Sequence, residues 1–269
     1  MRVSITNCVS TAAKMMRFSD ESLFANAGHH DLDYVVCKWL PSPEVNDYLA
    51  ELQETAPKAH PGVKVHVVEH QTDPSIGYVP NLRAMIVESM EAGFALNDFC
   101  GLTNTDVYHG PKWLSGLVKY TDKQTIINSL HITAVPAPMM DWPLLGIVNE
   151  NLGIPEPETF NLARFNELYR MYYRNVAVVP VKGNEHTHLT YRHAATMPYL
   201  FHRKWWEECG PWGLTLNDDP TRAPDRQFFD RCRDAGASFA LSFASIIYHH
   251  EAVERRGVRP PGSEHLVEE

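Results

Sequence analysis

Three short stretches carry side chains whose type and position suit chemistry. "GLTNTDVYHGPKWL" (101–114) sets a carboxylate, Asp106, just after a short apolar run. "PDRQFFDRCRDAG" (224–236) opens on Asp225 and continues with helical spacing. "IIYHH" (246–250) closes an apolar run on His249 and His250. An Asp at a strand end is ordinarily a turn former, because it bonds its own backbone two residues on. An Asp in a helix's first turn is favoured there by the helix dipole alone. Both acquire a functional reading only if the surrounding elements bring them to a common place.

Those elements can be read from the spacing of apolar residues. "RVSITNCV" (2–9), "LDYVVCKWL" (32–40), "VKVHVVEH" (63–70) and "ALNDFCGLTN" (95–104) predict four strands. A helix over 42–56 follows the second, with Ser42 as its cap, Pro43 in the first turn, and Val45, Tyr48, Leu49 and Leu52 on one face. Another spans 81–93, with Leu82, Met85, Ile86 and Met90 inward and Gly93 as its stop, and a third spans 111–120. Later come a strand at 125–135, a Pro-punctuated excursion over 136–175 and a helix at 161–174. Its aromatic face of Phe165, Tyr169, Tyr172 and Tyr173 reads as core. Helices at 203–210 and 225–236 follow, the latter with Phe228, Phe229 and Cys232 inward and Gly236 as its stop. A strand at 238–250 ends the pattern, and the tail 251–269 is polar. Strands alternating with helices imply an α/β domain whose mostly parallel sheet carries helices on both faces. Ligands then sit beyond the carboxyl ends of the strands. Asp106 stands there, which raises it from a turn acid to a site residue.

Composition excludes several classes. The chain has 269 residues, 44% hydrophobic and 21% charged, as ordinary globular proteins do. A formal charge of −9 suits neither a phosphate backbone nor an anionic membrane surface, so nucleic acid is not an expected partner. No run reaches the ~18 apolar residues of a membrane span, and the first residues do not read as a signal peptide. Five cysteines without C-x-x-C spacing read as reduced thiols in a cytoplasmic protein. Fourteen histidines invite a zinc reading, but "NEHTH" (184–188) lacks a third partner and reads as a solvated loop or an acceptor edge.

The order of these motifs resembles the GT-A glycosyltransferases, most closely glycosyltransferase family 2, over residues 2–250. "GYVPNLRAMIVESMEAGFALNDFCGLTNTDVYHGPKWLSGL" resembles the family's segment with a Gly, an Asn four residues on, a helix, a strand, the DxD-type acid, then Pro and Trp-Leu. "YLFHRKWWEECGPWG" is similar to its "xxxRxxxxxxGxF" stretch, and "PDRQFFDRCRDAG" to its "EDxDxxxRxxxAG" helix, with Asp225, Arg231 and Gly236 in register. "IIYHH" resembles the family's closing "vxH".

The resemblance implies a Rossmann-like α/β/α sandwich with a nucleotide-sugar-binding half near 1–120 and an acceptor half near 121–250. It implies transfer from a UDP- or GDP-sugar to a hydroxyl acceptor that the sequence does not name. A divalent cation neutralises the departing diphosphate as a Lewis acid, and hard Mn²⁺ or Mg²⁺ takes carboxylate and phosphate oxygens. By this likeness Asp106 and His249 are the metal ligands, with His250 as the alternative to His249; an imidazole ligand favours Mn²⁺. Asn104 stands at the family's first acid and is expected to meet ribose or a bound water. Gly77, Asn81 and Arg83 are expected to border the diphosphate or sugar. Asp225 is the expected general base for an inverting transfer, with Asp218 and Asp219 as rivals.

The chain departs from the family pattern in places. Cys37, Lys38 and Trp39 occupy the end of the second strand, where an acid ordinarily reads the base, and Pro224 replaces one acid of the helix motif. Two other readings therefore stand beside the first: a degenerate GT-A domain acting as a binding or scaffold module, and a sugar nucleotidyltransferase. The latter would want a Gly-rich basic loop after the first strand, which "NCVSTAAKMM" lacks.

Overall fold

The apolar runs that open the chain pair in parallel. β1 (Val3–Val9) lies between β2 (Leu32–Lys38) and β4 (Phe99–Leu102), and β3 (Val63–Glu69) flanks β2. β1 and β2 are buried along almost their whole length, as strands covered on both faces must be. The computed structural model describes residues 1–9, 13–133, 147–178, 198–211 and 224–250. Asp218, Asp219, "NEHTH", the start of the 136–175 excursion and the tail 251–269 lie outside the described residues.

The remaining strands are β5 (Val107–His109), β6 (Thr125–Thr133), β7 (Ile147–Asn149), β8 (Ala177–Val178), β9 (Tyr199–His202) and β10 (Ser238–His249). All join one sheet in the order β3-β2-β1-β4-β9-β6-β10-β5, with β7 paired to β6 and β8 to β10. β9, β5 and β8 run against the others. The sheet is thus mostly parallel, as the alternation predicts, and its carboxyl edge gathers the ends of β1, β2, β3, β4, β6 and β10.

Seven helices are described: α1 (Ala13–Asn26), α2 (Pro43–Ala59), α3 (Tyr78–Leu96), α4 (Trp113–Val118), α5 (Leu162–Tyr172), α6 (Arg203–Cys209) and α7 (Pro224–Asp234). α2 begins as expected: Ser42 Oγ accepts from Val45 N–H at 3.3 Å, a cap that contributes about 1 kcal/mol. Its face of Val45, Tyr48, Leu49 and Leu52 is buried. In α7, Phe228, Phe229 and Cys232 are fully buried, meeting Tyr199, Phe201 and Trp206 in an aromatic cluster.

Two expectations are corrected. Gly93 does not stop α3, which runs on to Leu96 and shortens the strand behind it. A Cβ at Gly93 would stand 2.5 Å from Cys100 Sγ and 2.9 Å from Thr6 Cγ2, so the glycine lets the helix press against the sheet. The stretch 13–26, without an expected element, is helix α1. Its buried face mixes Met15, Met16, Leu23 and Phe24 with Ser19, Asp20 and Ser22, and the polar members break the apolar stripe.

Those polar groups are bonded rather than merely buried. Asp20 accepts from the Tyr34 hydroxyl at 2.6 Å and the Tyr48 hydroxyl at 3.0 Å, tying α1 to β2 and α2. Asn7 Nδ2 donates to the Tyr34 oxygen at 2.9 Å. At the far side of the sheet, β10 bulges between Ser242 and Ile246, and α4 nests against the bulge. A Cβ on Gly116 would fall 2.3 Å from Ala244 O, so no larger residue permits this approach. The bulge sets the course on which β10 reaches its end at His249. Among the described residues no helix is long and apolar enough to cross a membrane.

Burial lifts the Asp20 carboxyl to about 7, against the opposing pull of the two phenol bonds. Its folded pKa therefore lies above its unfolded one, and the protonated form is the one that favours folding. Stability should be lost as pH rises from about 3.8 to about 7. Asp20→Asn should flatten that slope and raise the melting temperature at pH 8, by on the order of 5 °C. Thermal unfolding of both proteins across this range checks it; coincident pH profiles would refute a buried ionising Asp20.

Candidate active site

The segment 103–106 leaves β4 and crosses the carboxyl edge of the sheet to β5, which pairs antiparallel with the end of β10. Val107 stands opposite His249 in that pairing, and His250 N–H donates to Asp106 O at 3.1 Å. The result brings two sequence-distant side chains together. Asp106 Oδ1 lies 3.1 Å from His249 Nε2, with both side chains nearly buried, at 3% and 12% exposed. Asp106 Oδ1 and His249 Nε2 stand close enough to share a proton or a cation. Asn104 Nδ2 stands 3.3 Å from the same Nε2. The ring nitrogen thus faces a carboxylate oxygen and an amide at once, and its tautomer sets which of the two it bonds.

A buried carboxylate is costly unless something positive meets it, whether a proton on the ring or a cation held by both groups. Two ligands at right angles on one octahedral cation, each about 2.1 Å from it, stand about 3 Å apart. Asp106 and His249 fit that spacing. Among the described residues no group of three His, Cys, Asp or Glu side chains gathers. The described residues thus offer two ligands, and a hard cation readily fills its other positions with phosphate oxygens and water.

Strand alternation separates the two closing histidines. His250 Nδ1 meets the Tyr248 hydroxyl at 3.3 Å, while His249 joins Asp106. His131, which sequence reasoning passed over, is fully buried on β6 with its ring 6.3 Å from that of His249. Nothing in the run "LHITAV" marks it out, because its role depends on which strand lies beside β6.

Helix α1 holds the acid's loop in place. Ser19 Oγ donates to Asn104 O at 3.4 Å. Ser22 Oγ accepts from His109 N–H at 2.9 Å, and Asn26 Nδ2 donates to His109 O at 2.7 Å. The His109 ring, packed on Trp113, bonds Thr103 Oγ1 at 3.0 Å, and burial pushes its pKa down to about 3. It stays neutral at working pH, a fixed strut rather than a proton carrier.

The other expected donor-side residues lie where α3 begins, at the same edge of the sheet. Gly77 caps the helix with φ −73° and an extended ψ, a conformation open to any residue. Arg83 is half-buried in the helix, with no ion pair recorded to a described carboxylate. Asn81 is fully buried, its amide bonded to the backbone of Asp73, Ile76 and Gly77. It shapes the loop before α3 and turns no polar atom outward. At the end of β2, Trp39 is buried with Nε1 donating to Thr72 Oγ1 at 2.8 Å, and Lys38 Nζ pairs with Glu69 at 3.2 Å. Burial pushes the Cys37 thiol up to about 12.

Asp225 falls in the first turn of α7. Later in that helix Arg231 donates to the carbonyls of Cys209 at 2.7 Å and Pro211 at 3.1 Å, clamping it to the chain that leaves α6.

Solved structures share this architecture. S. aureus TarS 1–349 superposes with a TM-score of 0.57 at 9% identity, over 93% of this chain and 60% of its own. GalNAc-T7, solved with UDP, GalNAc and Mn²⁺, gives 0.53 at 12% identity, over 93% and 44%. The mannosyltransferase PcManGT from Pyrobaculum calidifontis, in complex with GDP-Man and Mn²⁺, gives 0.53 at 12%, over 95% and 58%. The fold is that of the GT-A glycosyltransferases. The present GT-A chain spans between 44% and 60% of the length of those structures. No family model matches the sequence, and no curated protein does. At such identities the likeness carries the GT-A fold, and the chemistry must be argued from this chain's own residues.

Asp106→Asn replaces an acceptor facing His249 with a donor of the same size. Mn²⁺ binding, read by electron paramagnetic resonance, should weaken at least about tenfold, while the melting temperature in EDTA should not fall. A variant that binds Mn²⁺ as the parent does would remove Asp106 from the cation site.

Proposed function

We propose that the protein is a metal-dependent glycosyltransferase that moves a sugar from a nucleotide-sugar donor to a hydroxyl acceptor. The observation that carries this reading is the convergence of Asp106 Oδ1 and His249 Nε2, 3.1 Å apart, at the carboxyl edge of a GT-A sheet. The neighbours solved with UDP and Mn²⁺, and with GDP-Man and Mn²⁺, support a donor of that class.

Asp106 and His249 would hold Mn²⁺ or Mg²⁺, with Mn²⁺ preferred by the imidazole. When bound, the cation supplies Lewis-acid neutralisation of the departing diphosphate. Asn104 stands beside the His249 ring and meets the ribose or a bound water. The N-terminus of α3 at Gly77 turns its backbone N–H groups and the positive end of its dipole toward the phosphates. Arg83 adds a charge with no described carboxylate to quench it. Asn81 acts indirectly, by holding the loop before Gly77. In this division residues near 1–120 receive the donor and residues near 121–250 receive the acceptor. Asp225 takes the proton of the acceptor hydroxyl as its oxygen attacks the anomeric carbon, which inverts that centre. The helix dipole favours its ionised form, so it acts late, as the hydroxyl acidifies.

Two measurements bear on this reading. Release of nucleotide from UDP- or GDP-sugars should cease in excess EDTA and return with Mn²⁺ more fully than with Mg²⁺. Full turnover in the chelator would sink the metal-dependent mechanism. Asp225→Asn should leave donor affinity by calorimetry nearly intact and lower kcat by about 10²–10⁴-fold, the usual cost of a lost general base. Near-normal turnover would move the base elsewhere, with Asp218 and Asp219 next, or make the transfer retaining.

A further inference from the structure

A polar cluster behind the start of α3 has no part in holding the cation. His70, just past β3, is buried; its backbone N–H donates to Lys38 O at 2.9 Å, and its ring stands edge-on to Trp39. Its Nδ1 lies 3.0 Å from both carboxylate oxygens of Glu88, and its Nε2 lies 3.1 Å from Asn81 Oδ1. The orientation of the Asn81 amide is fixed by its surroundings. Nδ2 donates to the carbonyls of Asp73, Ile76 and Gly77 at 3.0, 3.3 and 3.0 Å, and Oδ1 accepts from Asp73 N–H at 2.8 Å. A flipped amide would set its oxygen against all of those carbonyls. Asn81 therefore turns an acceptor toward His70, as the Glu88 carboxylate does. Both ring nitrogens must donate, and imidazole does that only with two protons.

We propose that doubly protonated His70 is the positioning residue that locks the loop 73–77, and with it the N-terminus of α3, in the form that receives a nucleoside diphosphate. The diphosphate rests on the function proposed above; the lock does not. When the ring loses a proton it keeps one N–H, and the charge-assisted bond to Glu88 retains it. The Nε2 lone pair then opposes Asn81 Oδ1. Asn81 withdraws, and the carbonyls of Asp73, Ile76 and Gly77 lose their shared donor. Other titratable groups near the ring are already engaged. The Asp73 carboxylate accepts from Ser75 N–H at 2.8 Å, Lys38 pairs with Glu69 at 3.2 Å, and the Cys37 thiol is held neutral by burial. Glu88, at 40% side-chain exposure, is the carboxylate that meets the ring.

The test uses the ligand-free chain first. Amide hydrogen exchange by NMR, corrected for intrinsic rates, should show the protection of Asp73 N–H falling at least about tenfold from about pH 5 to about pH 8. Protection within α2 should stay level. Glu88→Gln can donate to Nδ1, so neutral His70 keeps its Nε2–H on Asn81; protection should be high and pH-independent. His70→Ala should be poorly protected throughout. Calorimetric affinity for UDP and GDP with Mn²⁺ should follow the same three profiles. Equal Asp73 protection at both pH values in the parent, or a persisting pH response in Glu88→Gln, would overturn the lock. A pH-responsive Asp73 in a chain that binds neither nucleotide would keep the lock and overturn the nucleotide-sugar reading instead.

Discussion

A carboxylate oxygen and an imidazole nitrogen held 3.1 Å apart, with both side chains nearly buried, form an arrangement that a fold must impose. Left to themselves the groups would rotate to share a proton or reach for water. Here the antiparallel pairing of β5 with β10 fixes both backbones, and near-complete burial removes the water. The bulge in β10, with Gly116 admitting α4 against it, sets the line along which His249 arrives. Ser19, Ser22 and Asn26 of α1 hold the other side by bonds to the backbone around Asp106. On the proposed reading, a pair held this firmly would receive a cation with little further reorganisation.

This requirement explains the polar character of α1. A helix packed on an α/β sheet normally presents an apolar stripe, but this one must bond to the backbone of a short strand that crosses the sheet's edge. Serine and asparagine can do that; leucine cannot. Asp20 extends the same polar face to Tyr34 and Tyr48, at the cost of a carboxyl that burial resists ionising. The fold gives up some stability above neutral pH for a helix fixed from several directions.

Where side-chain periodicity governs, the sequence was legible. The parallel strands at 3–9, 32–38 and 63–69, the Ser42 cap and the buried face of α7 all follow from apolar spacing and capping chemistry. Asp106 was legible as a candidate because it follows a strand, where ligands go in a parallel sheet, and His249 through the likeness of "IIYHH" to a family motif; the structure brings the two side by side. Other features carry no local signal. β5, β7, β8 and β9 are two to four residues long, too short for alternation to register. α1 hides behind its buried polar residues. Gly93 looks like a helix stop, and only the proximity of Cys100 and Thr6 shows it as a contact. His70 and Asn81 depend on hydrogen-bond geometry: a donor–acceptor count reveals their work, and no spacing rule does.

The donor side shows a division of labour between charge and shape. A chain of formal charge −9 is a poor host for a free nucleoside diphosphate. On the proposed reading, the cation at Asp106 and His249 offsets part of the ligand's charge, and Arg83 offsets more. The end of β2 supplies no acid for the base, since Trp39 is committed to Thr72 and Lys38 to Glu69. Those commitments bind β2, β3 and the loop that follows into one rigid wall. On the proposed reading this wall would select by shape and by the backbone groups it exposes. Discrimination would then fall to a wall fixed by Trp39–Thr72 and Lys38–Glu69, and attraction to the cation and Arg83.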